Sequence, residues 1–342
     1  MPIAFLDHDP SPESQWRALI LFGYNSATYK FAFAKSLLGL IEREKTRISL
    51  ADLAVPFADS IVEHLRRNDR QGNAQSSRFL DGCRRFIKGE LSQDQLYALT
   101  ERHGFVNVVD AFQNVNGGVI PDRFYEKDYS GSRKEIVVTD NLLGIKELFQ
   151  YRNLVQEVEA RWNLVETAWN LRINRNLLEV RYDEDESLFF LQSNEMRRVD
   201  ITSVRDALNG YQKGKCFYSF KDISINTDDP NLCEVDHFLP HVNKLEHAQA
   251  GANINGVWNL VLADAVTNRE KKARIPELRF LERLFVRNEY YIESNHPLAE
   301  TIVNQTGTNK RARRAFLETQ YRLALENSIH RWRPETELNG SF

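Results

Sequence analysis

Three short motifs lie between Glu234 and Arg274, in the order Val235-Asp236-His237-Phe238-Leu239-Pro240, Trp258-Asn259-Leu260-Val261-Leu262-Ala263 and Asn268-Arg269-Glu270-Lys271. Histidine has the unperturbed side-chain pKa nearest neutrality, so His237 can accept a proton from water. Asp236 and Asn268 offer carboxylate and amide oxygens, the ligands that Mg²⁺ and Mn²⁺ prefer. A cation held by few protein ligands keeps positions open for phosphate oxygens and water. The motifs therefore indicate metal-assisted hydrolysis of a phosphodiester.

The pattern around these motifs predicts two strands and a helix. The residues at 215–219 favour a strand, and the apolar run at 257–263 has the length of another. Asn255-Gly256 marks a turn before the second strand. Asp264 is suited to cap a helix that we expect over 265–274. A strand, a long loop, a strand and a helix form a compact unit that can bring the three polar side chains together.

This unit resembles the ββα-metal core (His-Me finger) of the HNH endonucleases, over residues 214–274. The resemblance implies that His237 is the general base and that Asp236 before it is a metal ligand. It implies that Asn259 lies on the second strand and braces the loop that bears the base. Asn268, on the helix, would be the second metal ligand. Lys271 matches a basic position that follows the final ligand, and we expect it to help neutralise phosphate charge.

One departure from this family concerns zinc. Many members of this branch carry two Cys-x-x-Cys knuckles that bind a structural zinc ion. Here the residues at 216–219 read Cys-Phe-Tyr-Ser and those at 264–267 read Asp-Ala-Val-Thr, so three of the four thiols are missing. Tetrahedral zinc needs four good ligands, usually Cys or His. We therefore expect no structural zinc, and we interpret Cys233, which has no paired spacing, as a buried small hydrophobe.

Composition limits the partners. The chain has 342 residues and a net charge of −3, so any DNA-binding surface must be a local patch. The candidates on the predicted helix and after it are Arg269, Lys271, Lys272 and Arg274. A second basic group, Lys310, Arg311, Arg313 and Arg314, is equally consistent with a DNA groove and with a solvated helix face. The three cysteines and the chain's start indicate neither a disulfide framework nor secretion, and no stretch approaches the length of a membrane span, so we expect a cytoplasmic protein.

The expected fold class is α+β, with a mainly helical N-terminal domain followed by a C-terminal ββα-metal nuclease domain with helical extensions. We place a helical domain for recognition or regulation at 1–175, a hairpin and a linking helix at 176–212, and the nuclease domain at 213–342. A loop region is expected at 114–137. Periodicity predicts hairpin strands at 177–182 and 188–192, and helices at 12–43, 50–68, 74–88, 92–103, 141–172, 202–212, 276–287 and 309–331.

The functional hypothesis is a metal-dependent endonuclease that acts on double-stranded DNA, non-specifically or at a short site, with Mg²⁺, Mn²⁺ or another divalent cation. One such site cuts one strand, so a monomer would nick. Bacterial defence against phage or foreign DNA is the expected setting, and other proteins of such a system would then be partners. Two alternatives stay open: a catalytically silent module that binds nucleic acid or a partner, and an RNase or toxin with the same core. His241 and His247 in the long loop are better interpreted as ordinary polar loop residues.

Overall fold

The computed structural model describes residues 9–22, 27–72, 77–115, 117–131, 134–170, 180–192, 198–293, 296, 298–326 and 330–342. The chain divides into two compact units, Met1–Arg172 and Ile173–Phe342. Helices and strands occur in both units, which confirms the α+β fold class. Among the described residues, no helix is both long enough and apolar enough to cross a bilayer.

The first unit is mainly helical. Its helices are α1 (Pro12–Phe22), α2 (Tyr29–Glu42), α3 (Leu50–Arg67), α4 (Arg78–Ile87), α5 (Gln93–His103), α6 (Val108–Ala111), α7 (Asp140–Lys146) and α8 (Tyr151–Asn170). Serine residues cap three of them, because a serine oxygen can accept a backbone N–H that has no partner within the helix. Ser49 accepts from Asp52, Ser77 accepts from Leu80, and Ser92 forms a capping box with Gln95.

Two single helices expected in this unit are each divided. The helix expected at 12–43 is α1 followed by α2, with residues 23–26 outside the described part of the chain. The helix expected at 141–172 is α7 followed by α8, and residues 171 and 172 also lie outside it. The helix expected at 74–88 begins at Arg78, and residues 74–76 are not among those described. The apolar periodicity therefore predicted correctly that these segments are helical, but it did not predict where each helix begins and ends.

The loop expected at 114–137 was wrong, because it contains strands. The unit has β1 (Arg47–Ser49), β2 (Asn114–Val115), β3 (Gly118–Val119), β4 (Tyr125–Asp128) and β5 (Glu135–Val138), and β1, β5 and β4 form an antiparallel sheet in that order. Ile136 and Val138 are buried while their neighbours are half-buried, which is the alternation of a strand. Burial of one face of the sheet outweighs the turn-forming composition between the strands.

The second unit begins with an antiparallel sheet, β6 (Val180–Asp183), β7 (Leu188–Gln192) and β8 (Arg198–Ser203). The predicted hairpin is confirmed, although its residues 177–179 lie outside the described part of the chain. Helix α9 (Val204–Gln212) follows, so the helix expected to begin at 202 begins only after the third strand.

The ββα core consists of β9 (Glu234–His237), β10 (Leu260–Ala263) and α11 (Ala265–Lys271). The two strands pair antiparallel, with His237 opposite Leu260 and Glu234 opposite Ala263. The loop between them contains the helix α10 (Lys244–Gln249) and ends in a 3₁₀ turn, Val257–Asn259. The predicted cap of α11 is confirmed, since the Asp264 carboxylate accepts from the Thr267 backbone N–H at 3.0 Å.

The first predicted strand of the core was placed too early. Residues 215–219 form a tight turn in which Cys216 N–H donates to the Lys221 carbonyl at 2.8 Å, and Phe220 adopts a positive φ of 57°. The core strand is the later segment Glu234–His237. The helix ends at Lys271 instead of 274, because Lys272 takes a φ of 51° that no right-handed helix allows.

The helical extensions are α12 (Leu278–Glu293), α13 (Ala299–Thr306) and α14 (Lys310–Glu326), and the short strands β11 (Ile275–Pro276) and β12 (Arg331–Trp332) pair in parallel. Arg287 of α12 is fully buried and donates to the carbonyls of Val257, Trp258 and Leu260 at 3.1, 3.0 and 2.7 Å. This one guanidinium therefore fixes the approach to β10 from the side of the extensions. Cys233 is buried as expected.

Candidate active site

Strand β9 and helix α11 place polar side chains against each other. Alternation along a strand puts Glu234 and Asp236 on the same face, and α11 covers that face. Asn268 Nδ2 donates to Glu234 Oε2 at 2.7 Å, and Lys271 Nζ lies 3.0 Å from Asp236 Oδ1. The two expected metal ligands, Asp236 and Asn268, thus belong to facing elements of one compact site.

Asp236 is a buried carboxylate with two donors. Its exposed fraction is 8%, Tyr218 Oη donates to Oδ2 at 2.6 Å, and the Lys271 ammonium lies 3.0 Å from both carboxylate oxygens. Burial raises the pKa of Tyr218 far above its usual value, and the charge of Asp236 adds to the rise, so the phenol remains a hydrogen-bond donor. A carboxylate has about four lone-pair sites, so these donors leave Asp236 able to accept a further ligand.

His237 is held in one orientation. Its Nε2 lies 2.8 Å from Asn255 Oδ1, and because a carboxamide oxygen only accepts, this contact favours the tautomer with the proton on Nε2 and the lone pair on Nδ1. The ring centroid lies 5.9 Å from that of Tyr182 and 5.3 Å from that of His241. Burial lowers the pKa of His237 below its usual value, against the opposing effects of the Asn255 bond and the Asp236 charge. Burial therefore favours the neutral imidazole, which is the form that can accept a proton.

Asn259 joins the two ends of the long loop. Its side chain is fully buried, and Oδ1 accepts from the Leu239 backbone N–H at 2.8 Å. Its Nδ2 donates to the carbonyls of Leu239 and Ile254 at 3.0 and 2.9 Å. Because every polar atom of this side chain bonds to backbone, Asn259 acts on the site through the loop that follows His237.

The basic residues of α11 divide into a buried one and exposed ones. Lys271 has an exposed fraction of 0%, and its ammonium donates to Asp236 and to the His237 carbonyl at 2.7 Å. This geometry differs from the phosphate contact that the resemblance implies, since no face of the ammonium is open to a ligand. Arg269, Lys272 and Arg274 are exposed and lie at the surface near the site.

Two of these exposed cations, Arg269 and Arg274, contact other residues of the ββα core. The Arg269 guanidinium lies 3.8 Å from the Glu234 carboxylate, with 77% of its side chain exposed. Arg274 donates to the carbonyls of Glu270 and Lys271 at the end of α11. Both side chains retain donors that face solvent, as a phosphate contact requires.

Two of the four side chains in the second basic group, at 310–314, form ion pairs with carboxylates. Arg313 is buried and forms a two-pronged ion pair with Glu289, at 2.6 and 2.7 Å. Arg314 forms a similar pair with Glu282, at 2.6 and 2.9 Å. Lys310 and Arg311 are exposed. These pairs favour a structural role for the start of α14 over a DNA groove.

The two loop histidines differ in their surroundings. The ring of His241 neighbours His237, so it lies at the site. His247 is fully buried, and its Nδ1 lies 2.7 Å from Gln320 Oε1 of α14. His247 therefore packs in the core of the second unit instead of on a polar loop surface.

Sequence reasoning missed three residues of the site: Glu234, Tyr218 and Asn255. The period of two in Glu234-Val235-Asp236 was the available signal for Glu234. Asn255 was interpreted only as a turn marker before Gly256, and Tyr218 lay in a segment assigned to a strand. Only the tertiary structure brings these two side chains to His237 and Asp236.

The oxygen donors suit a hard divalent cation. Among the described residues, no three His, Cys, Asp or Glu side chains form a ready-made metal cage. Glu234, Asp236 and Asn268 nevertheless supply two carboxylates and an amide on facing elements, and Mg²⁺ usually takes only one or two carboxylates and keeps several waters. The donor set therefore fits such an ion.

Comparisons with known proteins give one match. No curated protein matches the chain, and no solved structure matches it. The family model described as HNH endonuclease matches residues 216–277. This range contains β9, β10 and α11 together with His237, Asn259 and Asn268. Residues 216–277 are therefore similar to the HNH endonuclease family, whose members are nucleases.

Proposed function

We propose that this chain is a metal-dependent endonuclease that hydrolyses DNA phosphodiester bonds, with His237 as the general base. The observation that carries the proposal is the position of the His237 imidazole, held by Asn255 and adjacent in the chain to Asp236, and burial that lowers its pKa supports the same role. A general base must have a pKa near or below the working pH and an available lone pair, and the lowered pKa of His237 and its contact with Asn255 both support this role.

Asp236 and Asn268 are the proposed ligands of Mg²⁺, Mn²⁺ or another divalent cation. The Asn268 Nδ2 donates to Glu234, which leaves the amide oxygen as the free end of that side chain. Glu234 is thus an orienting residue that sequence reasoning did not include. The Lys271 ammonium pairs with the Asp236 carboxylate and offsets its negative charge. When bound, the cation would supply stabilisation of the charge that develops on the phosphate.

In the proposed reaction, Nδ1 of His237 takes a proton from water as the water oxygen forms a bond to phosphorus. The bond between phosphorus and the 3′ oxygen breaks, and the leaving oxygen takes a proton from solvent. The products are a 5′-phosphate and a 3′-hydroxyl. A positioned general base contributes about 10²- to 10⁴-fold to the rate of such a step. Asn259 would hold the loop after His237 in place during it.

Double-stranded DNA is the proposed substrate, non-specific or with a short site. Arg269, Lys272 and Arg274 are the exposed cations near the site, and phosphate contacts by such residues supply most affinity that does not depend on sequence. The net charge of −3 confines this attraction to a local surface. One site breaks one strand at a time, so a monomer would nick.

The test is incubation of supercoiled plasmid with the full chain and Mg²⁺ or Mn²⁺, beside EDTA, His237→Ala and, as a matched control, His330→Ala at an exposed histidine. We expect conversion to open circle by the native chain and by His330→Ala alone. Equal cutting by His237→Ala would refute the assignment of the base. Retained DNA binding without cutting would favour the silent module, and faster cleavage of RNA would favour the RNase alternative.

The proposed setting is bacterial defence against phage or foreign DNA, with other proteins of a defence system as partners. A nuclease domain joined to a separate, mainly helical unit supports it, because that unit is available to sense or to regulate. Plaque counts on cells that express the native chain or His237→Ala test it. Equal plating on both strains would remove the defence role and leave the nuclease proposal intact.

A further inference from the structure

Four side chains from two separate segments meet beside the site. The Ser219 hydroxyl donates to Asp264 Oδ2 at 3.0 Å, and the Thr267 backbone N–H donates to Asp264 Oδ1 at 3.0 Å. The Thr267 hydroxyl lies 3.5 Å from that of Ser219. The Cys216 thiol is fully buried, and its interactions with Ser219 and Asp264 contribute to the pKa shifts of Cys216 and Asp264. We call these four residues the Asp264 cluster.

The Asp264 cluster occupies the positions where the resemblance to HNH endonucleases places zinc-binding thiols. Its donors are one thiol, one carboxylate and two hydroxyls, and hydroxyls are poor zinc ligands. Burial raises the pKa of the Cys216 thiol to about 11, so the thiol keeps its proton. These residues do not fit a structural zinc ion, and they satisfy one another instead.

The carboxylate of Asp264 is the centre of this network. Burial acts to raise its pKa, but the hydrogen bonds from Thr267, Cys216 and Ser219 outweigh burial and lower it. The charged form is therefore the one that the surroundings stabilise. It accepts hydrogen bonds from the turn at 216–219 and from the first turn of α11, so it joins these two segments.

Both segments that Asp264 joins bear on the proposed site. The turn carries Tyr218, which donates to Asp236, and its Phe217 N–H is bonded to the Leu262 carbonyl of β10 at 2.9 Å. Helix α11 has only seven residues and carries Asn268 on its second turn. Such a short helix has little stability of its own, so its position depends on its cap and on tertiary contacts.

We propose that Asp264 is a positioning residue for the nuclease site, and that its hydrogen bonds to the turn at 216–219 and to α11 perform the task of a structural zinc ion. This inference rests on the proposed function, because the residue positioned is the ligand Asn268. The proposal also predicts that the four positions lie close enough for four thiolates to bind one zinc ion, since Ser219, Asp264 and Thr267 already contact one another.

The first experiment measures Mn²⁺ binding to the full chain by electron paramagnetic resonance, for native protein, Asp264→Asn and Asp222→Asn. Asparagine is as good a helix cap as aspartate, so the first variant spares the cap and removes the carboxylate that Ser219 and Cys216 need. Asp222 is an exposed aspartate near the same turn and is the matched control. We expect Asp264→Asn to raise the Mn²⁺ dissociation constant about tenfold, as replacement of residues that orient metal ligands commonly does. Asp222→Asn should leave this constant unchanged.

A merely structural role predicts a different result: fewer folded molecules with the same Mn²⁺ affinity in those that fold. Unchanged affinity in folded Asp264→Asn would overturn the positioning role. The measurement does not depend on cutting, so a native chain that fails to nick would count against the proposed function alone. Failure of the native chain to bind Mn²⁺ would overturn both.

The second experiment combines Ser219→Cys, Asp264→Cys and Thr267→Cys with the native Cys216. We expect one tightly bound zinc ion per chain, a higher melting temperature with zinc, and loss of both with a chelator. Asp264→Cys alone should bind no zinc tightly. A triple variant that folds and binds no zinc would show that the four positions do not converge, which would overturn the zinc-replacement inference.

Discussion

Replacement of Lys271 by methionine should destabilise the second unit strongly. The ammonium has no exposed surface, lies 3.0 Å from Asp236 and donates to the His237 carbonyl. Without it, the Tyr218 hydroxyl is the one remaining side-chain donor to the buried Asp236 charge among the described residues. Removal of one partner from a buried ion pair costs about 3–5 kcal/mol. For a unit of this size each kcal/mol lowers the melting temperature by about 2–4 °C, so we expect a fall of roughly 6–20 °C.

The assay is denaturant and thermal unfolding of the full chain, with Lys272→Met as the control. Lys272 is the next residue and is exposed, so its replacement should change the free energy of unfolding by no more than about 0.5 kcal/mol. Asp236→Asn in the Lys271→Met background should recover part of the loss, because it removes the unpaired charge. Mg²⁺ should also stabilise Lys271→Met more than the native chain, since a bound cation would replace the missing ammonium.

Two results would refute this reasoning. A loss below about 1 kcal/mol in Lys271→Met would mean that the ammonium does not neutralise a desolvated carboxylate. Equal stability of Lys271→Met and the double variant would mean that the two side chains are not coupled.

Three further predictions concern the base, the loop and the DNA surface. Burial lowers the pKa of His237 below its usual value, and the base form is present above that pKa, so the nicking rate should rise with pH on the acid side and level off near neutral pH. His237→Ala should lower the rate about 10²- to 10⁴-fold, and a rise centred well above neutral pH would contradict this account. Asn259→Ala leaves buried backbone groups unpaired at about 1–3 kcal/mol each, so denaturant unfolding should show a loss of several kcal/mol, and a loss under 1 kcal/mol would disprove the bracing role. Arg269→Ala with Lys272→Ala should weaken DNA binding and reduce the slope of log K against log salt by about 0.9 for each lost contact, whereas an unchanged slope would place the DNA elsewhere.

The site was predictable from sequence as far as residue type and spacing define it. Asp236, His237, Asn259 and Asn268 follow one another in a chemically meaningful order, and a motif of this kind does not require exact element ends. The first strand was misplaced because Cys216-Phe217-Tyr218 is more apolar than the true strand, Glu234–His237. Polar side chains in that strand contact residues of α11 that lie 34 and 35 positions later in the chain, and local strand propensity does not reflect such distant contacts.

Burial of charge was the least predictable property. Lys271 and Arg269 are two residues apart on a short helix, yet the first is fully buried and the second is exposed. Only the position of Asp236 under the helix decides which of them faces inward. A single buried acid can therefore convert a residue that resembles a phosphate ligand into part of the core.

Arg287 limits how short a fragment of this protein can be and still support the backbone of the site. The family match ends at residue 277, but the guanidinium that satisfies three carbonyls of the segment 257–260 comes from α12, beyond that limit. The chain also returns at Arg331–Trp332 to pair with Ile275–Pro276. The segment that matches the family is thus shorter than the segment whose parts must fold together. A transplant of residues 216–277 into another scaffold would include the proposed site residues but would leave their backbone without the support of Arg287. Recombination between nucleases of this type should therefore succeed only when helix α12 is transferred together with the motif.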